Sequence, residues 1–179
     1  ELEIGPGRGG FLIERLEAEP GARLVGLEIR RKWATLVDRR LAARGFGDRA
    51  RVFAEDVRPA LGRFPDACVR IAYLHFPDPW WKKRHQKRLV LTPDLCRELA
   101  RVVVPGGELF VQTDVPERAD GYQQVVAEEP AFVAWEGGPR VSENPYGARS
   151  PRERRAIEDG LPVVRMRWRR RSAGESPDS

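Results

Sequence analysis

The chain has 179 residues, 41% of them hydrophobic, which is enough to bury one core without disulfides or metals. A net charge of +5, from 32 basic against 27 acidic side chains, favours an anionic partner without naming one. No apolar run reaches the roughly 18 residues of a membrane span, and Cys68 and Cys96 lack zinc-like spacing, which reads as two buried or half-buried free thiols in a reducing cytoplasm.

In chain order, the text opens at Glu1 inside a glycine motif, so an earlier segment is expected to be missing. A helix follows the glycines over Phe11 to Ala18. Leu24 to Leu27 reads as a buried strand, and Arg31 to Arg44 as a helix with Trp33, Leu36, Val37 and Leu41 at helical spacing. Val52 to Ala54 is the third strand, then Asp56 caps a short helical turn over Val57 to Leu61. Val69 to Leu74, a helix over Pro93 to Val103 stopped by Pro105-Gly106-Gly107, and Leu109 to Val111 continue the alternation. Pro162 to Arg169 alternates Val164, Met166 and Trp168 with Val163, Arg165, Arg167 and Arg169, a half-exposed strand. One domain over 1–171 is expected, with 172–179 a disordered tail. Such βαβ alternation predicts an α/β fold: a mostly parallel sheet, helices on both faces, ligand sites at the carboxyl ends of the strands.

Three acidic positions fall at those ends. In Glu3-Ile4-Gly5-Pro6-Gly7-Arg8-Gly9-Gly10 the glycines let a strand turn into a helix and let a ligand approach the backbone. Gly5, Gly7 and Gly10 also fit a dinucleotide fingerprint, and Glu28 suits a ribose hydroxyl in either kind of site. The carboxylate of Glu3 favours the cationic ammonium and sulfonium end of S-adenosylmethionine over a pyrophosphate. Asp56 has two compatible readings, accepting from an adenine amino group or capping the helical turn.

After the fourth strand comes His75-Phe76-Pro77-Asp78-Pro79-Trp80-Trp81-Lys82-Lys83-Arg84-His85-Gln86-Lys87-Arg88. Three of the four lysines, Lys82, Lys83 and Lys87, lie here, beside aromatics that can stack on bases. A solvated basic helix is the plain alternative; the position at the ligand edge favours nucleic acid.

This segment, with Glu3-Ile4-Gly5, Gly26-Leu27-Glu28, Gln112-Thr113-Asp114 and Tyr122, resembles the bacterial tRNA (guanine-N7)-methyltransferases from Glu1 to about Arg170. The resemblance implies a Rossmann-like class I methyltransferase fold with a seven-stranded sheet and an antiparallel C-terminal strand. It implies S-adenosylmethionine contacts from Glu3, Gly5, Gly7, Glu28, Asp56 and Asp78, with Asp78 also the catalytic position. It implies substrate contacts from Lys82, Asp114, Ser150 and Glu153, and RNA contacts along Arg84 to Leu89; by their charge Lys82, Lys83, Arg84, Lys87 and Arg88 are expected to bind tRNA phosphates. No metal and no membrane are called for. The family's Thr-x-Phe-Glu signature stands here as Ser150-Pro151-Arg152-Glu153, so Arg152 replaces an aromatic.

Guanine N7 carries a lone pair and no proton, so the expected chemistry is in-line displacement without a base at the nucleophile. Asp78, Asp114 and Glu153 are the candidates to accept from guanine N1 and N2, and the outward arginines of the last strand are candidates to extend the RNA track. Two rivals remain at this point: a nicotinamide-dependent oxidoreductase, which leaves the basic segment and Asp114 unexplained, and a catalytically inactive RNA-binding scaffold on the same fold.

Overall fold

The computed structural model describes residues 1–77, 89–172 and 174–175. Seven strands form one path in the order β3-β2-β1-β4-β5-β8-β6, and the two-residue β7 (Arg140–Val141) pairs with β8. Of these, β1 (Leu2–Ile4), β2 (Leu24–Leu27), β3 (Ala50–Phe53), β4 (Val69–His75) and β5 (Val103–Thr113) run parallel to one another. β8 (Val164–Arg170) runs antiparallel to β5 and carries β6 (Phe132–Ala134) on its other edge.

Alternation along each strand sends side chains to two cores. Leu2 and Ile4 of β1 and Leu74 of β4 join a cluster covered by α3 (Val57–Leu61), α4 (Pro93–Val102) and α5 (Pro116–Ala127). On the opposite face, α1 (Gly10–Ala18) and α2 (Arg31–Ala43) bury Leu12, Leu16, Val37 and Leu41. Beside them Phe11, Tyr73, Phe110 and Tyr146 form an aromatic cluster, and it is to this face that Glu3 and His75 point. The helix α6 (Pro151–Glu158) packs its start against α1 so closely that a Cβ on Gly10 would lie 2.5 Å from Pro151 Cγ. Glycine is therefore required where these two helices meet.

Three expectations change. Helix α4 does stop at Val102, but β5 begins immediately, at Val103, well before Leu109. Val69 faces Val103 and Ile71 faces Glu108, so the Pro105-Gly106-Gly107 stretch bulges out within a strand rather than preceding one. Cys96 is buried as expected, which pushes its thiol up to about 12, whereas Cys68 is exposed in the turn before β4. The arginines of β8 are not spare phosphate ligands: Arg165 pairs with Glu153, Arg167 with Glu108 and Arg169 with Glu175. Glu175, placed by its composition in a disordered tail, is thus one partner of the last of these pairs.

Glu108 links three elements, accepting from Arg167 Nε and Nη2 at 2.7 Å each and from the Tyr146 hydroxyl at 2.7 Å. Burial pushes its carboxyl up, but the Arg167 and Tyr146 hydrogen bonds outweigh that and hold it below the usual 4.5. A depressed folded value means the unfolded chain binds the proton more readily, so this stabilisation is complete above 4.5 and disappears as pH falls below it. Glu108→Gln is expected to cost about 1–3 kcal/mol at pH 7 and to flatten the acid side of the stability curve, measured by urea unfolding from pH 3 to 7.

Candidate active site

The carboxyl ends of β1, β4 and β5 open onto a cavity of about 780 Å³, within the roughly 300–1,000 Å³ of small-molecule sites. It lies where the strand order reverses between β1 and β4, the crevice such sheets offer to ligands. Its walls come from Glu3 with the glycine loop, His75 to Pro77 at the end of β4, Thr113 to Val115 at the end of β5 and Ser150 to Arg152 at the start of α6, with Arg118 and Leu161 at its margin.

Glu3 is 2% exposed, and its Oε1 meets His75 Nδ1 at 2.9 Å while Oε2 has no hydrogen-bond partner among the described residues. An ionised carboxylate so far from water needs a cation or donors to offset the loss of hydration. Gly5 (φ +69°) and Gly7 (φ +56°) hold left-handed backbone, and nothing lies within 4 Å of where their Cβ atoms would be. The loop is thus both sterically reserved for glycine and open on the cavity side. Glu28, buried after β2, accepts from the backbone N–H of Gly7 at 3.0 Å and of Arg30 at 2.9 Å, one on each oxygen. These bonds tie the loop to the next strand and hold the carboxylate in one orientation. This arrangement fits S-adenosylmethionine: a lone buried oxygen for its cationic end, open glycines along its body, and a fixed carboxylate at the next strand end.

Asp56 accepts from Arg58 N at 3.0 Å as the N-cap of α3, the capping half of its two readings. Across the cavity, Asp114 pairs with Arg152, whose guanidinium reaches it from the first turn of α6. Ser150 caps α6, its Oγ accepting from Glu153 N at 3.1 Å. Glu153 itself departs from expectation. It is fully buried, takes two hydrogen bonds from Arg165 on Oε1 (3.0 and 2.8 Å) and one from Asn144 on Oε2 (3.1 Å), and does not line the cavity. Asp78, Lys82, Lys83, Arg84, Lys87 and Arg88 lie outside the described residues.

The entry to that segment is described. Phe76 takes φ +50°, a conformation that a bulky side chain adopts only when its surroundings enforce it. They do: its N–H donates to Gln112 O at 2.8 Å, and the Tyr122 hydroxyl of α5 donates to Pro77 O at 3.1 Å. The residue before Asp78 is therefore fixed by β5 and α5 together.

Residues 1–166 match the model of a family described as putative methyltransferase. A tRNA (guanine-N(7)-)-methyltransferase of Synechococcus sp. (strain JA-3-3Ab) is 35% identical over 173 residues, covering 95% of this chain and 72% of the relative. The protein of the same description from Parasynechococcus marenigrum (strain WH8102) is 34% identical, covering 99% and 77%. The chain belongs to the tRNA (guanine-N7)-methyltransferase family. Among solved structures, the [4+2]-cyclase SpnF superposes with a TM-score of 0.66 at 15% identity, covering 96% of this chain and 74% of that one. That likeness shows the fold alone; it is a methyltransferase-type sheet on which other chemistry can also be built. Two features of this family member escaped sequence reasoning. The partnership of Glu3 with His75 had one signal, a polar residue closing the apolar run Ile71-Ala72-Tyr73-Leu74. The partnership of Asp114 with Arg152 had none, since 38 residues separate them.

Among the described residues no group of acidic, histidine and cysteine side chains has the arrangement of a metal site, and no helix is long and apolar enough to cross a membrane.

Proposed function

We propose that this chain methylates N7 of a guanine in tRNA, using S-adenosylmethionine, with the variable loop of the tRNA as the target region and the cytoplasm as the setting. The observation that carries the reading is the cavity: in a chain of this family, Glu3 with the glycine loop and Asp114 with Thr113 open into one space. Donor and acceptor sites share walls, which is what direct transfer between two bound molecules needs.

S-adenosylmethionine supplies an electrophilic methyl group on a sulfonium. Glu3, Gly5, Gly7 and Glu28 hold it from the β1 and β2 side, with Asp56 and Asp78 as further contacts. Guanine N7 would attack the methyl carbon with its lone pair while the carbon–sulfur bond breaks and the donor leaves as a neutral thioether, so no residue has to remove a proton from it. Asp114 accepts from the N1 and N2 donors of the base and favours the positive charge that grows on the purine. In the resting chain Arg152 holds one of its oxygens, Oδ2, so the incoming base meets a carboxylate already oriented. Asp78 is the catalytic position of this step and Lys82 assists in binding the substrate. Ser150 places the first turn of α6 beside the base, and Glu153 works from behind it, anchoring that turn to β8.

Lys83, Arg84, Lys87 and Arg88 bind tRNA phosphates. Binding through about four such contacts predicts a slope near −3 to −4 when log affinity is plotted against log salt, measured by filter binding. A slope near zero contradicts the track.

Transfer from methyl-labelled S-adenosylmethionine to unmodified tRNA, followed by nucleoside analysis, tests the function. Label in 7-methylguanosine is the expected result. Binding of both partners without transfer favours the scaffold, and label in any other nucleoside contradicts the proposal.

A further inference from the structure

The floor of the cavity is polar where its surroundings are aromatic. His75 sits among Phe11 (ring centroids 4.1 Å apart, 62° between planes), Tyr73 (5.6 Å, 29°) and Phe110 (6.0 Å, 72°). Its side chain is 3% exposed and that of Glu3 2% exposed. On the neighbouring strand Gln112, the register partner of His75, is also fully buried. Four buried polar atoms here have no hydrogen-bond partner among the described residues: Glu3 Oε2, His75 Nε2 and both amide atoms of Gln112. A packed core tolerates such atoms poorly unless a ligand uses them.

The bond between His75 and Glu3 fixes the direction of the rest. An ionised carboxylate only accepts, so at 2.9 Å His75 Nδ1 is the donor and Glu3 Oε1 the acceptor. That bond leaves Oε2 as the free oxygen of Glu3. Three aromatic rings keep the imidazole from turning away. Glu3 alone has rotatable torsions; with His75 behind it, it presents one oxygen in one place.

We propose that His75 is a positioning residue for the methyl donor: its Nδ1–H holds Glu3 so that Oε2 meets the cationic amino-acid end of S-adenosylmethionine. This rests on the methyl-donor reading and adds to it the residue that orients the anion. His75 acts through Glu3, so its effect on donor affinity vanishes when Glu3 no longer carries the charge.

A thermodynamic cycle on the full chain tests it, with calorimetric titration of S-adenosylmethionine into wild type, His75→Phe, His75→Asn, Glu3→Gln and the Glu3→Gln/His75→Phe double variant. Phenylalanine keeps a ring among Phe11, Tyr73 and Phe110 but removes the donor; asparagine keeps an N–H at the position of Nδ1. His75→Phe is expected to weaken binding about 10-fold, the loss of one hydrogen bond to a charged group. His75→Asn recovers most of it, and the double variant binds no more weakly than Glu3→Gln. A merely structural histidine gives the opposite result in the cycle, the two losses adding in full, and that overturns the proposal. Unchanged affinity in His75→Phe overturns it as well, while leaving the methyl-donor reading standing. A wild-type chain that does not bind S-adenosylmethionine removes both. Nitrogen-15 histidine spectra of the wild type supply a test that needs no folded variant, because the sequence has only two histidines, His75 and His85. The Nδ1–H tautomer at His75 is expected, and the Nε2–H tautomer overturns the assignment.

Discussion

Glu3→Gln should lower the affinity for S-adenosylmethionine by about 10- to 150-fold, the equivalent of the 1.5–3 kcal/mol that a hydrogen bond to a charged group contributes. A carboxylate 2% exposed, with one oxygen unmatched among the described residues, is costly on its own and becomes favourable beside a cation. Gln keeps the shape and an oxygen but removes the charge, so what it loses is attraction to the ammonium and sulfonium rather than packing. Two further results are expected from the same variant. Folding stability at pH 7 should not fall, since the substitution removes a buried charge. The affinity for tRNA should stay within about twofold, because phosphate contacts dominate it. Calorimetry with donor and filter binding with tRNA, run on one preparation, measure both. Donor affinity equal to wild type contradicts the placement of the cationic end at β1.

Asp114→Asn should reduce kcat/KM for tRNA by about 100- to 1,000-fold while leaving donor affinity within about twofold. Removing one preorganised group aimed at developing charge typically has an effect of this size on kcat. Asp114 has that character here. It follows the last residue of β5, its side chain is 10% exposed, and Arg152 holds it at the cavity wall. Asparagine offers one acceptor where the carboxylate offered two, and turns an N–H toward the base where an oxygen stood. The loss should therefore appear mainly in kcat, with a smaller rise in KM. Steady-state kinetics with saturating donor separate the two, and a variant with wild-type kcat contradicts the role of Asp114 in the transfer step.

Much of the architecture could be read in the chain because local patterns and tertiary demands agree. Alternating short apolar runs and helical periods predicted the parallel sheet. The position of Glu3 between Leu2 and Ile4 put its side chain on the face opposite theirs, and the glycine spacing marked the loop. Where the reading failed, the deciding partner lay outside the element being read. Glu153 looks available for a base until Arg165 and Asn144 close around it, 12 and 9 residues away on β8 and in the loop before α6. The β8 arginines look like a phosphate track until each meets an acid: Glu153, Glu108 or Glu175. The start of β5 was misplaced for a different reason. Pro105-Gly106-Gly107 is a sound stop for a helix, and nothing in it tells whether the following strand has already begun. The pairing of Val103 with Val69 decides that.

The most direct test of the account replaces one atom in each guanine of the substrate. A tRNA transcribed with 7-deazaguanosine keeps the N1 and N2 donors and every phosphate but carries C–H where N7 stood. Methyl transfer to this transcript and to its ordinary counterpart, with binding of both measured alongside, isolates the nucleophile from recognition. Equal binding, with label entering only the ordinary transcript, is the predicted result. Label entering the 7-deaza transcript at a comparable rate would contradict N7 as the acceptor and with it the transfer geometry assigned to this cavity.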